Sequence, residues 1–247
     1  NHATPAAFYA HQASRNDYYD IGLELIDSGF EYFAGGGLLD PTGSEGDQTD
    51  LYQMAEEAGY TVARTYAEAL EMQKAQHETG KVLNIGVVNR FNDGVNRIKE
   101  YIDQGRLGNI HHVYVSFRAH RSIPGLGGDF TNKAVSGGGV LIDWGVHYLD
   151  IVMYCCGDPK VKTVTGETFC KLGKDMENYV YTDMWAGPPQ YDGTYDVDDS
   201  VTGMVRTSGP VITINGAWAQ NIGEEDRYID FMGDKGGIRL QYGADFT

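Results

Sequence analysis

The stretch of sequence that decides the fold is Gly137-Gly138-Gly139-Val140-Leu141-Ile142-Asp143-Trp144-Gly145-Val146-His147. Three glycines lead into an apolar run that carries a carboxylate and an imidazole four residues apart. In an α-helix this spacing places Asp143 and His147 on one face, about 5–6 Å apart at Cβ. The apolar residues around them predict a largely buried helix, in which an acid and an imidazole need partners or a ligand. This pair is therefore the first candidate functional site.

The sequence leaves two other interpretations of the pair open. In one, Asp143 and His147 form an internal hydrogen bond that ties the helix to a sheet; in the other, they ligate zinc, which accepts the same spacing. The three glycines predict a close approach of two backbone segments, with a phosphate cradle as the alternative. Further along, three acidic residues lack the spacing of an EF-hand and predict a solvated loop: Asp196, Asp198 and Asp199.

Charge and composition restrict the partners. The net charge of −16 at pH 7 disfavours nucleic acid and anionic membranes. No apolar run approaches the ~20 residues that cross a bilayer, and no signal-peptide pattern opens the sequence. Since the first residue is Asn, we expect a preceding segment. The cysteines have no metal-type spacing, so free thiols and a reducing, cytoplasmic location are expected: Cys155, Cys156 and Cys170.

The distribution of valine divides the chain, because Val62 is the only valine before residue 81. We expect domains at 1–75 and 76–247. The first contains helices at 5–11, 51–57 and 66–76 with strands at 30–34 and 61–65. The second contains a buried strand at 81–88, a helix after Asn92, a half-buried strand at 110–120, the helix described above, and strand-like runs at 161–168, 179–184, 200–207, 211–220, 228–232 and 237–242.

These elements predict an α+β fold with α/β remnants. Its main part is an open, mostly antiparallel sheet with a long buried helix, preceded by an incomplete N-terminal α/β segment. Ser208-Gly209-Pro210 predicts a hairpin turn between two of the strands.

Four segments of residues 76–247 resemble the Gfo/Idh/MocA family of nicotinamide-dependent sugar and cyclitol dehydrogenases. They are Asn89-Arg90-Phe91, Gly105-Arg106-Leu107-Gly108-Asn109-Ile110, the glycine-to-histidine stretch, and Gly157-Asp158-Pro159. The resemblance implies a fold like that family's C-terminal domain, NAD or NADP as cofactor, a small sugar-like substrate, and a possible homo-oligomer through the open sheet. It also implies that His147 takes the hydroxyl proton, that Asp143 orients it or binds substrate, and that Arg90 and Trp144 bind substrate.

The sequence departs from that family in its cofactor-binding part. It has no GxGxxG turn and no Glu-Lys-Pro lysine, so we assign no cofactor-binding residue. Only residues 81–91 remain, as the last strand of a dinucleotide-binding domain. Whether the chain is an enzyme stays open, and we expect weak or no dehydrogenase activity from it as it stands.

A second resemblance covers residues 1–72, which are similar to the alkaline phosphatase family. It rests on Asn1 to His11 with Ser14-Arg15, on Ser28-Gly29-Phe30, and on Phe33 to Gly37. It implies a magnesium ligand at Thr4, a metal neighbour at His2 and a phosphate clamp at Arg15, with magnesium or zinc required. The serine nucleophile and zinc ligands of that family have no counterpart in the sequence.

The two resemblances together predict a chimera joined near Gln73 to Thr79. Two further functions stay open beside the dehydrogenase: a phosphomonoesterase fragment, and a non-catalytic sugar-binding or assembly module. A purely structural interpretation also stays open, in which Thr4 caps a helix and Arg15 is a solvated surface charge.

Overall fold

The computed structural model describes residues 1, 6–31, 33, 37–82, 87–180 and 184–241. The chain forms two compact units, Asn1–Val88 and Asn89–Thr247. The predicted join at Gln73 to Thr79 falls inside a helix of the first unit, and the predicted domain boundary at 75/76 stays a prediction. None of the helices in the described part of the chain combines the length and the hydropathy that crossing a bilayer requires.

The described elements of the first unit are all helical. After a 3₁₀ turn at Ala6–Phe8 come α1 (Tyr18–Asp27), α2 (Leu51–Glu57) and α3 (Tyr66–Thr79). Helix α3 begins with a capping box, in which the Thr65 hydroxyl accepts from the Glu68 N–H and the Glu68 carboxylate accepts from the Thr65 N–H. The bounds of α2 match its prediction.

Two strands predicted for this unit are wrong in the residues that the structure describes. Residues 61–65 form an irregular segment, because Thr65 ends it as the N-cap of α3. Residues 30, 31 and 33 of the second predicted strand are not in a strand, and 32 and 34 lie outside the described residues. Helix α1 was not predicted, although Ile21 and Leu25 form its buried face.

The predicted strand at 81–91 is also wrong in part. Residues 83–86 lie outside the described part of the chain, and Val88–Phe91 forms a 3₁₀ helix. Asn92 then caps α4 (Asp93–Asp103), its side-chain oxygen accepting from the N–H groups of Gly94 and Val95.

The second unit contains an open six-stranded mixed sheet in the order β2-β3-β4-β1-β5-β6. Strand β1 pairs in parallel with β4, whereas every other neighbouring pair is antiparallel. The predicted open, mostly antiparallel sheet is therefore confirmed. The strands are β1 (Ile110–Arg118), β2 (Val161–Phe169), β3 (Ser200–Thr207), β4 (Val211–Ala217), β5 (Asp226–Gly233) and β6 (Gly237–Gln241).

Burial on the sheet follows the alternation of β1. Val113, Val115 and Phe117 are fully buried on the helix-covered face, and His112 and Tyr114 point to the other face and are half-buried. The predicted hairpin at 208–210 joins β3 to β4. The strand predicted at 179–184 is wrong for residues 179, 180 and 184, and 181–183 lie outside the described residues.

The predicted helix through Asp143 and His147 is present, and it begins with a π-helical turn. A short helix α5 (Lys133–Ser136) ends at Gly137 in the left-handed conformation (φ 79°), and a π-helical turn (Leu141–Gly145) then leads into α6 (Val146–Cys155). Helix α6 buries Ile151 and Val152 in the core beneath the sheet. A Cβ on Gly139 would lie 1.9 Å from the carbonyl oxygen of Asp198, so the predicted close backbone approach is confirmed.

Candidate active site

Asp143 lies in the π-helical turn and is half-buried. The indole Nε1 of Trp218, just beyond the end of β4, donates a hydrogen bond of 3.0 Å to Asp143 Oδ2. Burial raises the pKa of Asp143 above its ordinary value, against the opposing effects of this hydrogen bond and of the charge on His147. The carboxylate is thus partly desolvated but has a fixed donor.

His147 follows in the first turn of α6 and is half-buried. Its Nδ1 atom is buried and has no hydrogen-bond partner among the described residues. The structure places Asp143 and His147 near enough to interact as charges, without a hydrogen bond between them. The interpretation as an internal Asp–His hydrogen bond is therefore wrong, and it is Trp218 that ties Asp143 to the sheet.

The turn that carries Asp143 is held at its start by one residue, Asp198. Its carboxylate accepts from the N–H groups of Gly139 (2.9 Å) and Leu141 (3.0 Å), and its carbonyl accepts from Val140 (3.0 Å). Three orphan donors of a helix start are satisfied in this way. Asp198 is consequently a structural residue of the candidate site.

Its neighbour Asp199 is fully buried. One carboxylate oxygen, Oδ2, accepts from the N–H groups of Lys171 (2.7 Å), Leu172 (2.6 Å) and Gly173 (3.0 Å). The prediction of a solvated loop is therefore wrong for Asp198 and Asp199, because both carboxylates bind backbone donors far away in sequence. Asp196 is exposed, as predicted for that loop, although its carboxylate also accepts from the Lys133 N–H (2.7 Å).

Trp144 lies beside Asp143 and packs partly buried against the core of the second unit. The guanidinium carbon of Arg227 lies 4.8 Å from the centre of its ring. Arg227 is paired with Phe117 in the register of β5 on β1, so it points to the helix-covered face of the sheet. Neither Trp218 nor Arg227 is predicted from the sequence, because both are more than 70 residues from Asp143.

Arg90 binds α6 through Asp150, one turn after His147. Its guanidinium binds the Asp150 carboxylate through Nε (2.9 and 3.1 Å) and Nη2 (2.5 Å), and stands 5.2 Å from the centre of the Tyr154 ring. A shallow cavity of about 520 Å³ is lined by Arg90, by apolar residues of the π-turn and α6, and by Asp150 and Asp158; Asp143 and His147 do not line it. Substrate binding by Arg90 and Trp144 stays a prediction.

Of the metal and phosphate residues predicted in the first unit, the structure describes Arg15 alone, so the predicted site stays a prediction. Arg15 is exposed, and Thr4 and His2 lie outside the described residues. Within the described ranges, no group of three or more His, Cys, Asp or Glu side chains could hold a metal ion. The three cysteines are free thiols as predicted, and burial raises the pKa of Cys155 to about 12.

Comparison with known proteins shows which family and which proteins the chain is similar to. Residues 95–239 match the model of the Gfo/Idh/MocA C-terminal domain. The D-glucoside 3-dehydrogenase of Escherichia coli (strain K12) is 34% identical over 195 residues, covering 76% of this chain and 54% of the relative. The chain spans about half the length of the curated relatives it matches.

Solved structures show the same fold. Levoglucosan dehydrogenase in complex with NADH and L-sorbose superposes with a TM-score of 0.57 at 23% identity, covering 76% of this chain and 49% of that one. The aldose-aldose oxidoreductase of Caulobacter crescentus, complexed with glycerol, gives 0.54 at 22% identity, covering 76% and 51%. None of these three relatives is a phosphatase, so they give the phosphatase resemblance of residues 1–72 no support.

The match to the E. coli enzyme is longer than residues 89–247, so it includes part of the first unit. The match to the family model covers more than half of the chain and contains the whole π-turn and α6. The chain therefore belongs to the Gfo/Idh/MocA family through its C-terminal domain.

Proposed function

We propose that this chain is the substrate-binding part of an NAD(P)-dependent oxidoreductase acting on a hydroxyl group of a sugar or cyclitol. The observation that carries the proposal is the placement of Asp143 and His147 one turn apart, where the π-turn meets α6. The match to the Gfo/Idh/MocA family supports an oxidoreductase role for this pair.

The relatives support the choice of ligand. The E. coli relative is a dehydrogenase of D-glucosides, and two structural neighbours hold small polyhydroxy compounds, L-sorbose and glycerol. One of them also holds NADH, in line with a nicotinamide cofactor here. For this chain we accordingly propose a neutral sugar or cyclitol, with NAD and NADP as the cofactors to compare.

In the proposed reaction His147 removes the proton of the substrate hydroxyl. Because Nδ1 is buried, we assign the proton transfer to Nε2, and imidazole has the acid–base range for this step. Asp143 binds the substrate or orients the imidazole, from a position fixed by Trp218. A bound nicotinamide supplies the acceptor for the hydride that leaves the same carbon.

The chain's residues fit the reacting end of such a cofactor but not its pyrophosphate. The sequence has no GxGxxG turn to place a pyrophosphate at a helix N-terminus, and no Glu-Lys-Pro lysine. We therefore propose that the 247-residue chain on its own binds sugars but turns them over weakly. The interpretation of residues 1–72 as a phosphatase-like segment, the homo-oligomer through the open sheet and the cytoplasmic location stay predictions.

Binding and turnover test the two parts of the proposal separately. We expect a panel of D-glucosides and cyclitols to shift the imidazole NMR signals of His147 but not those of His112, whose Nε2 lies 3.0 Å from the Thr213 hydroxyl on the sheet. We expect His147→Gln to abolish any residual NAD(P)-dependent turnover and the control His112→Gln to leave it unchanged.

Two outcomes contradict the proposal. If no member of the panel shifts the His147 signals, the assignment of the site is wrong. If the unmodified chain oxidises a sugar at an ordinary enzymatic rate, its predicted weak activity is wrong.

A further inference from the structure

Trp218 is the largest fully buried side chain of the protein, and it touches the candidate active site. The indole ring has one polar atom, Nε1, which is a donor and cannot accept a hydrogen bond. That donor is directed at Asp143 Oδ2, 3.0 Å away. The one hydrogen bond that the Trp218 side chain can form is thus made to a residue of the candidate site.

The backbone of Trp218 is fixed on both sides. Its N–H donates to the carbonyl of Asp199 (2.9 Å), and its carbonyl accepts from the N–H of Ser122 (2.8 Å). Asp199 is itself held through the backbone donors of residues 171–173. The main chain of Trp218 is therefore fixed, and its indole is fully buried in the core.

The turn that carries Asp143 is attached to the same segment. Asp198, the residue before Asp199, accepts from Gly139, Val140 and Leu141 at the start of the turn. The start of the turn that carries Asp143 and the main chain of Trp218 are thus both bound to the Asp198-Asp199 dipeptide. This arrangement leaves the Asp143 carboxylate little freedom to rotate.

The hydrogen bond also acts on the charge of Asp143. Burial favours the protonated carboxyl, and the indole donor and His147 are the two groups that oppose this effect. A single hydrogen bond at Oδ2 leaves the other oxygen of the carboxylate to face His147 or a ligand. A carboxylate without the indole would be freer to turn and easier to protonate.

We propose that Trp218 is a positioning residue, whose indole N–H holds the Asp143 carboxylate in the orientation in which it acts together with His147. The consequence for catalysis rests on the proposed function. The hydrogen bond and its effect on Asp143 do not, and they are measurable without cofactor or turnover.

The test follows the indole ¹H–¹⁵N signals of the full chain during a pH titration. The chain has three tryptophans, and the signal of Trp218 is identified by its loss in Trp218→Phe. We expect this signal to shift as Asp143 ionises and to stop titrating in Asp143→Asn, whose amide oxygen still accepts from the indole. In Trp218→Phe, the ¹³C carboxyl signal of Asp143 is expected to titrate about one pH unit higher, a tenfold change in proton affinity.

Trp185→Phe is the matched control, because Trp185 is 63% exposed and packs edge-on against Phe130, away from this hydrogen bond. It should leave the Asp143 titration unchanged. If Trp218→Phe fails to fold, the comparison of the unmodified chain with Asp143→Asn still decides the question. A Trp218 signal that titrates identically in both, or an Asp143 midpoint unmoved in folded Trp218→Phe, overturns the proposal. Absence of sugar turnover with both NMR effects present would instead count against the proposed function alone.

Discussion

Removing the carboxylate of Asp199 is expected to destabilise the second unit strongly. Asp199 is fully buried, and its Oδ2 atom accepts from three consecutive backbone N–H groups. Ser200 Oγ donates to the other oxygen at 3.1 Å. Asp199→Ala leaves all four donors without this acceptor.

The size of the effect follows from the solvation of those donors. Lys171 is exposed, so water can replace the carboxylate at its N–H, whereas Gly173 is buried and Leu172 half-buried. Each buried donor left unsatisfied costs about 1–3 kcal/mol, and bonds to a charged acceptor lie at the upper end. We expect a loss of about 3–5 kcal/mol, a large part of the 5–15 kcal/mol that stabilises a typical domain. Asp199→Asn, which keeps one acceptor oxygen, should lose about half as much.

Urea unfolding followed by tryptophan fluorescence measures this loss in the second unit alone, because Trp144, Trp185 and Trp218 all lie in residues 89–247. Asp196→Ala is the matched control, since Asp196 is exposed and accepts a hydrogen bond from the Lys133 N–H. It should cost less than about 1 kcal/mol. If Asp199→Ala and Asp196→Ala shift the midpoint equally, the role assigned to the buried carboxylate is refuted.

Three further predictions use the same unfolding assay. Gly139→Ala should lower the free energy of unfolding by about 2–3 kcal/mol, because its Cβ would lie 1.9 Å from the Asp198 carbonyl oxygen. The control Gly223→Ala, which has open space around it, should lower it by less than about 0.5 kcal/mol. Asp143→Asn should raise the unfolding midpoint at pH 7, because burial raises the pKa of this carboxyl and makes its ionised form costly in the folded state. This gain in stability should vanish below about pH 4, where the unmodified carboxyl is protonated in both the folded and the unfolded state. A double-mutant cycle of Arg90→Gln and Asp150→Asn should give a coupling of about 0.5–1.5 kcal/mol, and a value near zero would contradict the ion pair.

Local patterns predicted the six strands of the second unit, and they also predicted a strand at 179–184 whose described residues are not in one. The alternation of Val113, Val115 and Phe117 with polar residues gave β1 and its buried face, and β3 was predicted at its observed bounds. These segments alternate in polarity because one face of the sheet packs on helices and the other does not. The alternation of polarity therefore predicts both the position of a strand and the face that it buries.

The first unit shows where such patterns mislead. Residues 61–65 have the β-branched composition of a strand, but Thr65 serves as a helix cap and no partner strand lies beside them among the described residues. Strand propensity depends on a neighbouring strand, which a single segment does not specify. Helix propensity is more local, and the bounds of α2 were predicted correctly.

The candidate site was predictable only in part. The spacing of Asp143 and His147 identified the pair, since it follows from neighbours in sequence. Two supporting residues were missed because they are distant in sequence: Trp218 binds Asp143 from 75 residues away, and Asp198 binds the start of its turn from 55 residues away. The π-turn was also missed, because a continuous apolar run fits a straight helix equally well.

The pairing of β1 has a consequence for how the second unit folds. The pairs β3-β4 and β5-β6 are hairpins of strands near in sequence, whereas residues 170–199 separate β2 from β3. The two hairpins are linked to each other through β1, which pairs with β4 on one side and β5 on the other. Its partner residues in β4 lie about a hundred positions away, so closing that contact carries a large loop entropy. We expect the two hairpin blocks to form early and the insertion of β1 between them to limit the folding rate, as contact order predicts.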